Sequence, residues 1–168
     1  MTGAANALTP EHPFIGDVLR AARAVYGDRL QAFAIFGSVA RRTARPDSDL
    51  DLFLVIEGLP RGRRARLQTF DAVERALGAA IESLATTGIC VELSPILRQP
   101  EDLRIASPLL LDLTEDAVIL EDRHGILAAA LEDLRRRLRR LGSRRIWTDT
   151  GWYWDLKPDY RRGEIFEL

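Results

Sequence analysis

A mixed α/β fold in a single domain is predicted by three observations. Segments with helical spacing of apolar residues alternate with short apolar runs of strand length, and no internal repeat or long linker interrupts them. The 168 residues, 46% hydrophobic and 29% charged, have the size and composition of one globular unit. A chain of this length buries roughly 70% of its unfolded surface, enough for a core without metal or disulfide support. Residues 1–168 are therefore read as one domain, a mixed β-sheet flanked by helices.

The elements follow in order. Thr9 and Pro10 read as an N-cap and first helical residue, and Ile15, Val18, Leu19, Ala22, Val25 and Tyr26 recur at helical spacing up to Gly27, giving an N-terminal helix over 9–27. The apolar run 31–36, bounded by Gly37, predicts a strand, and 49–57 (DLDLFLVIE) a second, mostly buried one closed by Gly58 and Pro60. Leu67, Phe70, Val73, Leu77, Ile81 and Leu84 mark a long helix ended by Gly88. A third strand is expected over 89–97 (ICVELSPIL), with Pro95 assigning it to a sheet edge. A short helix near Glu101, a strand over 117–120 and a helix with Leu127, Leu131, Leu134, Leu138 and Leu141 on one stripe complete the body. The aromatic tail, 143–168, holds Trp147, Trp152, Trp154, Tyr153, Tyr160 and Phe166.

Residue counts exclude whole classes of chemistry. Cys90 is the only cysteine, and histidine occurs only at His12 and His124, so disulfide frameworks and Cys/His zinc sites are out and both histidines are expected at the surface. Lys157 is the only lysine, far from any glycine loop, which removes P-loop and Schiff-base mechanisms. With 24 Lys and Arg against 25 Asp and Glu, no global basic field draws in nucleic acid. Arginines do cluster, at Arg61, Arg63, Arg64 and Arg66 and again from Arg135 to Arg145, but the second group is interleaved with Glu132 and Asp133 and reads first as a solvated helix face. The N-terminal stretch MTGAANALTPEHPF lacks a basic start and a signal-length apolar run, and nothing reaches membrane-spanning length, so a cytoplasmic protein is expected.

The informative segment runs from Ile35 to Val55. A strand leads into Gly37-Ser38, followed by VARRTA, a Pro-Asp turn and Ser48-Asp49-Leu50-Asp51-Leu52. On a strand Asp49 and Asp51 would project to one side with Cα atoms roughly 6.5 Å apart, able to share a metal site. Hard cations such as Mg²⁺ take oxygen ligands, keep waters and bind substrate phosphates beside one or two carboxylates. Gly37 would let the backbone approach closely, and N–H groups and a hydroxyl at Ser38 would face an anion. Asp47 reads as a turn residue.

The run GSVARRTARPDSDLDLFLV resembles the signature of the DNA polymerase beta type nucleotidyltransferase superfamily, and its spacing is most similar to that of the minimal nucleotidyltransferases. Gly37, Ser38, Ala40, Arg41, Ser48, Asp49, Asp51 and Leu52 match that pattern, and Arg42 stands where the family carries glycine. The resemblance is strong over about twenty residues and extends loosely to Leu141. It implies a nucleotidyltransferase fold and transfer of a nucleotidyl group, AMP above all, from ATP or another NTP to an acceptor hydroxyl. It also implies Asp49 and Asp51 as catalytic Mg²⁺ ligands and a third carboxylate on the next strand, where Glu92 stands as ligand or general base; a sheet-edge Glu facing water is the alternative. Gly37, Ser38, Arg41 and Ser48 would bind the nucleotide, and the partner would be a HEPN-domain ribonuclease silenced as in a toxin–antitoxin pair. A small-molecule or tRNA acceptor, with the arginine faces holding nucleic acid, and a non-catalytic partner-binding module stay open. The tail would either pack over the domain or anchor that partner.

Overall fold

The computed structural model describes residues 7–168; residues 1–6, the start of the stretch inspected for a leader, lie outside the described residues. Helix α1 (Pro13–Tyr26) begins later than the sequence suggests. Thr9 and Pro10 form a turn that returns the His12 N–H to the Thr9 carbonyl, and Pro13 takes the first helical position. His12 is therefore no idle surface residue: its Nδ1 accepts the Phe14 N–H and caps the helix.

Strands β1 (Leu30–Phe36), β2 (Leu50–Ile56), β3 (Leu93–Arg98) and β4 (Val118–Asp122) form one sheet in the order β3-β2-β1-β4. β2 pairs parallel with β3, and β1 pairs antiparallel with both β2 and β4, so the sheet is mixed. The parallel pair needs a long crossover, which α3 (Arg63–Thr86) supplies. β3 is an edge strand, the place where Pro95 can omit a ladder donor. It starts four residues after the expected 89, because its ladder begins where β2 begins, at Leu50 opposite Leu93. The four preceding residues tie down the loop instead, Cys90 N–H to Pro46 and Glu92 carbonyl to the Leu50 N–H.

Strand alternation divides the core in two. Phe33, Ile35, Leu52 and Leu54 face α1 and α3, meeting Val18, Ala22, Phe70, Val73 and Leu77. Ala32, Ala34, Phe53 and Val55 face helices α4 (Pro108–Asp116) and α5 (Ile126–Leu141). β1 is buried on both faces and β2 nearly so, as a central pair covered by helices requires. Sequence reading passed over α4, placing a helix near Glu101, where only a short 3₁₀ turn (Pro100–Arg104) forms. Its signal is present: Ser107 accepts the Leu110 N–H as N-cap and Pro108 follows at the first helical position.

The tail folds as a hairpin, β5 (Arg144–Thr148) and β6 (Gly151–Asp155), with Trp147 opposite Trp152. No helix among the described residues is long and apolar enough to cross a membrane.

Candidate active site

Where β1 ends, the chain turns through α2 (Gly37–Ala40) into the loop before β2. Gly37 takes φ +69°, and a β-carbon there would lie 2.9 Å from Cγ of Asp51. Only glycine lets this turn press against the acid. Asp51 stands opposite Phe36 in the β1–β2 ladder, while Asp49 falls one residue ahead of β2 rather than inside it. The two-residue spacing still assigns both acids to the face of Phe53 and Val55, toward α4 and α5.

A cleft of about 490 Å³ opens there. It brings together Gly37, Ser38, Arg41, Ser48, Asp49 and Asp51, and its far wall is Asp112 and Asp116 of α4 with Trp152 of the hairpin. Ser48 shapes the rim, its Oγ accepting the Arg45 N–H at 2.8 Å. Glu92 is placed differently. It is exposed, precedes β3 and does not line the cleft. Asp51 instead has Ser94 beside it in the parallel ladder, a hydroxyl donor to its carboxylate. Among the described residues no three of His, Cys, Asp and Glu gather as a metal cluster, so Asp49, Asp51 and Glu92 are not assembled as a triad.

The electrostatics of the pair favour a cation. Burial and then the neighbouring Asp49 charge push the Asp51 carboxyl above its ordinary value, with Arg41 and Ser94 opposing only in part. Two unneutralised carboxylates with oxygen donors alone fit a hard divalent ion that keeps waters and shares substrate phosphates. Arg41 does not pair with them. Its Nη1 donates to Asp116 Oδ2 at 3.0 Å, and its guanidinium sits 4.9 Å from the centre of the Trp152 ring.

Arg42, in the family's glycine position, has φ +61°. A left-handed non-glycine residue costs about 1–2 kcal/mol. The side chain answers with a forked pair to Glu11, Nη1 to Oε2 at 2.9 Å and Nη2 to Oε1, and Arg42 is the largest influence lowering the Glu11 carboxyl. The turn is thus kept without glycine and Gly37 still meets Asp51.

Trp152 was read only as one of the tail aromatics, and Asp112 and Asp116 were not singled out from the sequence. Their only local signal is two acids four apart on a leucine-rich helix, which places both on one face. A larger hollow, about 570 Å³, lies against α5 among Asp133, Arg136, Arg139 and Arg140. It has no paired carboxylates or glycine turn, and its arginines are held in part by Asp133 and Glu132, so the chemistry belongs to the smaller cleft.

Similarity to known proteins bears on the family. A family model described as a nucleotidyltransferase domain matches residues 19–123. A curated protein of Methanocaldococcus jannaschii, named as a candidate protein adenylyltransferase, is 30% identical over 129 residues, covering 76% of this chain and 82% of that protein. Among solved structures, a toxin–antitoxin complex with AMP-PNP aligns at 19% identity over 74% of this chain and 89% of the other, with a TM-score of 0.47. A complex of tri-AMPylated Shewanella oneidensis HEPN toxin with MNT antitoxin aligns at 16% identity over 74% and 86%, with a TM-score of 0.42.

Proposed function

The chain belongs to the nucleotidyltransferase domain family, and on that premise we propose that it transfers AMP from ATP to a hydroxyl of a partner protein. The observation that carries this reading is the convergence of Asp49 and Asp51 with the Gly37–Ser38 turn in one cleft. Carboxylates alone would suit many cation sites. A glycine turn set beside one of them suits a phosphate group, and membership of the family makes that phosphate a nucleotide's.

Enzymes of this family work with a divalent metal ion, and we assign Mg²⁺ to Asp49 and Asp51 on their oxygen-only donors and uncompensated charge. When bound, the ion supplies charge neutralisation at the phosphates and polarises the acceptor oxygen. Ser38 and Arg41 hold the leaving pyrophosphate, the hydroxyl as a short donor and the guanidinium as a planar one. Ser48 keeps the rim closed against the nucleotide through its bond to Arg45. The acceptor oxygen bonds to the α-phosphorus, the bond from that phosphorus to the bridging oxygen breaks, and pyrophosphate departs. Glu92 receives the hydroxyl proton. Its position one step ahead of Leu93, as Asp49 is one step ahead of the paired Leu50, and its exposure to solvent support that role.

A protein acceptor is supported by the archaeal relative, whose name carries that activity and of which this chain spans 82%. We take the acceptor to be a HEPN-domain ribonuclease, as the sequence signature implies. Intact-mass spectrometry of such a partner, incubated with this protein, ATP and Mg²⁺, should show adenylyl additions that vanish with a chelator. An unmodified partner in a mixture where ATP binding is intact would contradict the protein acceptor.

A further inference from the structure

The far wall of the cleft lies partly outside the family-matched residues 19–123, yet it is tied to the motif arginine. Asp116 ends α4 with its side chain only 6% exposed, and it accepts from two arginines. Arg145 of β5 grips it with both terminal nitrogens, Nη1 at 2.8 Å and Nη2 at 3.0 Å, while Arg41 donates through Nη1. The two guanidinium groups thus share one carboxylate at the edge of the cleft. The same two arginines both lie against Trp152, Arg41 at 4.9 Å and Arg145 at 5.2 Å from its ring centre. The Trp152 indole N–H is fixed by Asp112 at 2.7 Å, and Asp112 also takes the Trp154 N–H at 2.9 Å.

Resting on the reading of Arg41 as a phosphate ligand, we propose that Asp116 and Trp152 are positioning residues that clamp the Arg41 guanidinium for the triphosphate, making the C-terminal hairpin a wall of the nucleotide site. An unrestrained arginine loses rotamer freedom when it is ordered by a ligand. Here Asp116 fixes one end and the Trp152 face fixes the plane before nucleotide arrives. Arg41 uses one of its five N–H groups on Asp116, and the others remain for phosphate oxygens. Pre-ordering of this kind raises affinity without adding a contact to the ligand.

The test uses calorimetric binding of ATP and of AMP, which lacks the β- and γ-phosphates, to the full chain and to Arg41→Ala, Asp116→Asn and the double variant. The clamp predicts that Asp116→Asn weakens ATP by about tenfold, within the range of coupled neighbours, and leaves AMP nearly unchanged. It also predicts no further loss when Asp116→Asn is added to Arg41→Ala. Unchanged ATP affinity in Asp116→Asn beside a weakened Arg41→Ala overturns the clamp alone. Equal loss for ATP and AMP, or additive losses in the double variant, overturns it as well. Unchanged ATP affinity in Arg41→Ala overturns the phosphate role of Arg41 and the clamp with it. Should Asp116→Asn fail to fold, the unmodified protein still decides. All three tryptophans lie between 147 and 154, so ATP should change the intrinsic fluorescence with the same midpoint as calorimetry, whereas calorimetric binding with a silent fluorescence signal overturns the hairpin as a wall.

Discussion

The two walls of the cleft are built in opposite ways. The near wall, from Phe36 to Asp51, comes from one continuous stretch in which a glycine turn and two acids meet across adjacent strands. The far wall brings α4 and the hairpin together from separate parts of the chain, joined by Asp112 and Asp116. The near wall carries charge that its neighbours offset only in part, as Asp51 shows, whereas both acids of the far wall accept from arginine or indole donors. Reactive groups are left unsatisfied where substrate binds, and the supporting groups are satisfied. The near wall should therefore govern chemistry at a cost in stability, and the far wall should govern stability and orientation.

The largest effect that separates them is at Asp51. Asp51→Asn should lower AMP transfer by about 10³-fold or more, beyond the scale of removing one electrostatic stabiliser, while raising the thermal midpoint of the metal-free protein. The sign follows from the raised carboxyl: the folded protein holds a proton that the unfolded chain releases, so stability falls as pH rises from the ordinary value of 3.8 through the higher folded one. Asparagine removes that slope. A lower midpoint in the variant would break the contrast between the walls.

Next in size is Glu92→Gln, expected to lower the chemical step by about 10²-fold, the modest end of general-base losses, with ATP affinity kept. Single-turnover kinetics measure both. Normal turnover would leave Glu92 as the exposed residue ahead of β3 and assign proton transfer elsewhere.

Removing residues 144–168 should act in the reverse sense. Asp112 and Asp116 lose the Trp152, Trp154 and Arg145 donors, and Trp154 and Leu156 leave the α4–α5 core. A loss of about 2–3 kcal/mol corresponds to a midpoint lowered by roughly 5–10 °C for a domain of this size. Trp147 and Tyr153 remain 58% and 56% exposed, so a partner surface on the hairpin would be carried by these two rather than by Trp152. An unchanged midpoint in the truncated chain would show that the hairpin does not support the far wall.

The smallest effect belongs to Arg42. Arg42→Gly relieves the left-handed strain of about 1–2 kcal/mol but loses an exposed pair with Glu11 worth little. The midpoint should rise by a few degrees at most, with transfer unchanged, and a clear loss of transfer would give Arg42 a role at the near wall.

Legibility in the sequence follows the same division. The near wall could be read because its residues are close in sequence and their spacing has a direct geometric meaning on a strand. The mixed sheet, the edge position of Pro95 and the leucine stripe of α5 were legible through periodicity and punctuation. Helix α4 was hidden because its nine residues are too few to show two full amphipathic repeats and its run of leucines reads equally well as a strand. Asp116 and Trp152 could not be paired by any local rule, since 36 positions separate them and β5 and β6 reach α4 only after α5 has folded back. Glu92 was legible as a position, while its placement one residue ahead of the ladder and away from the cleft lining follows from where β2 and β3 begin to pair.

The central claim, that the cleft transfers a nucleotidyl group rather than a phosphoryl group, is tested most directly by the position of the label. Parallel reactions with ATP labelled at the α-phosphate or at the γ-phosphate, each with Mg²⁺ and the HEPN-type partner, should place label in the partner only from the α-position, with labelled pyrophosphate released from the γ-position. Label entering the partner from the γ-phosphate would contradict the account.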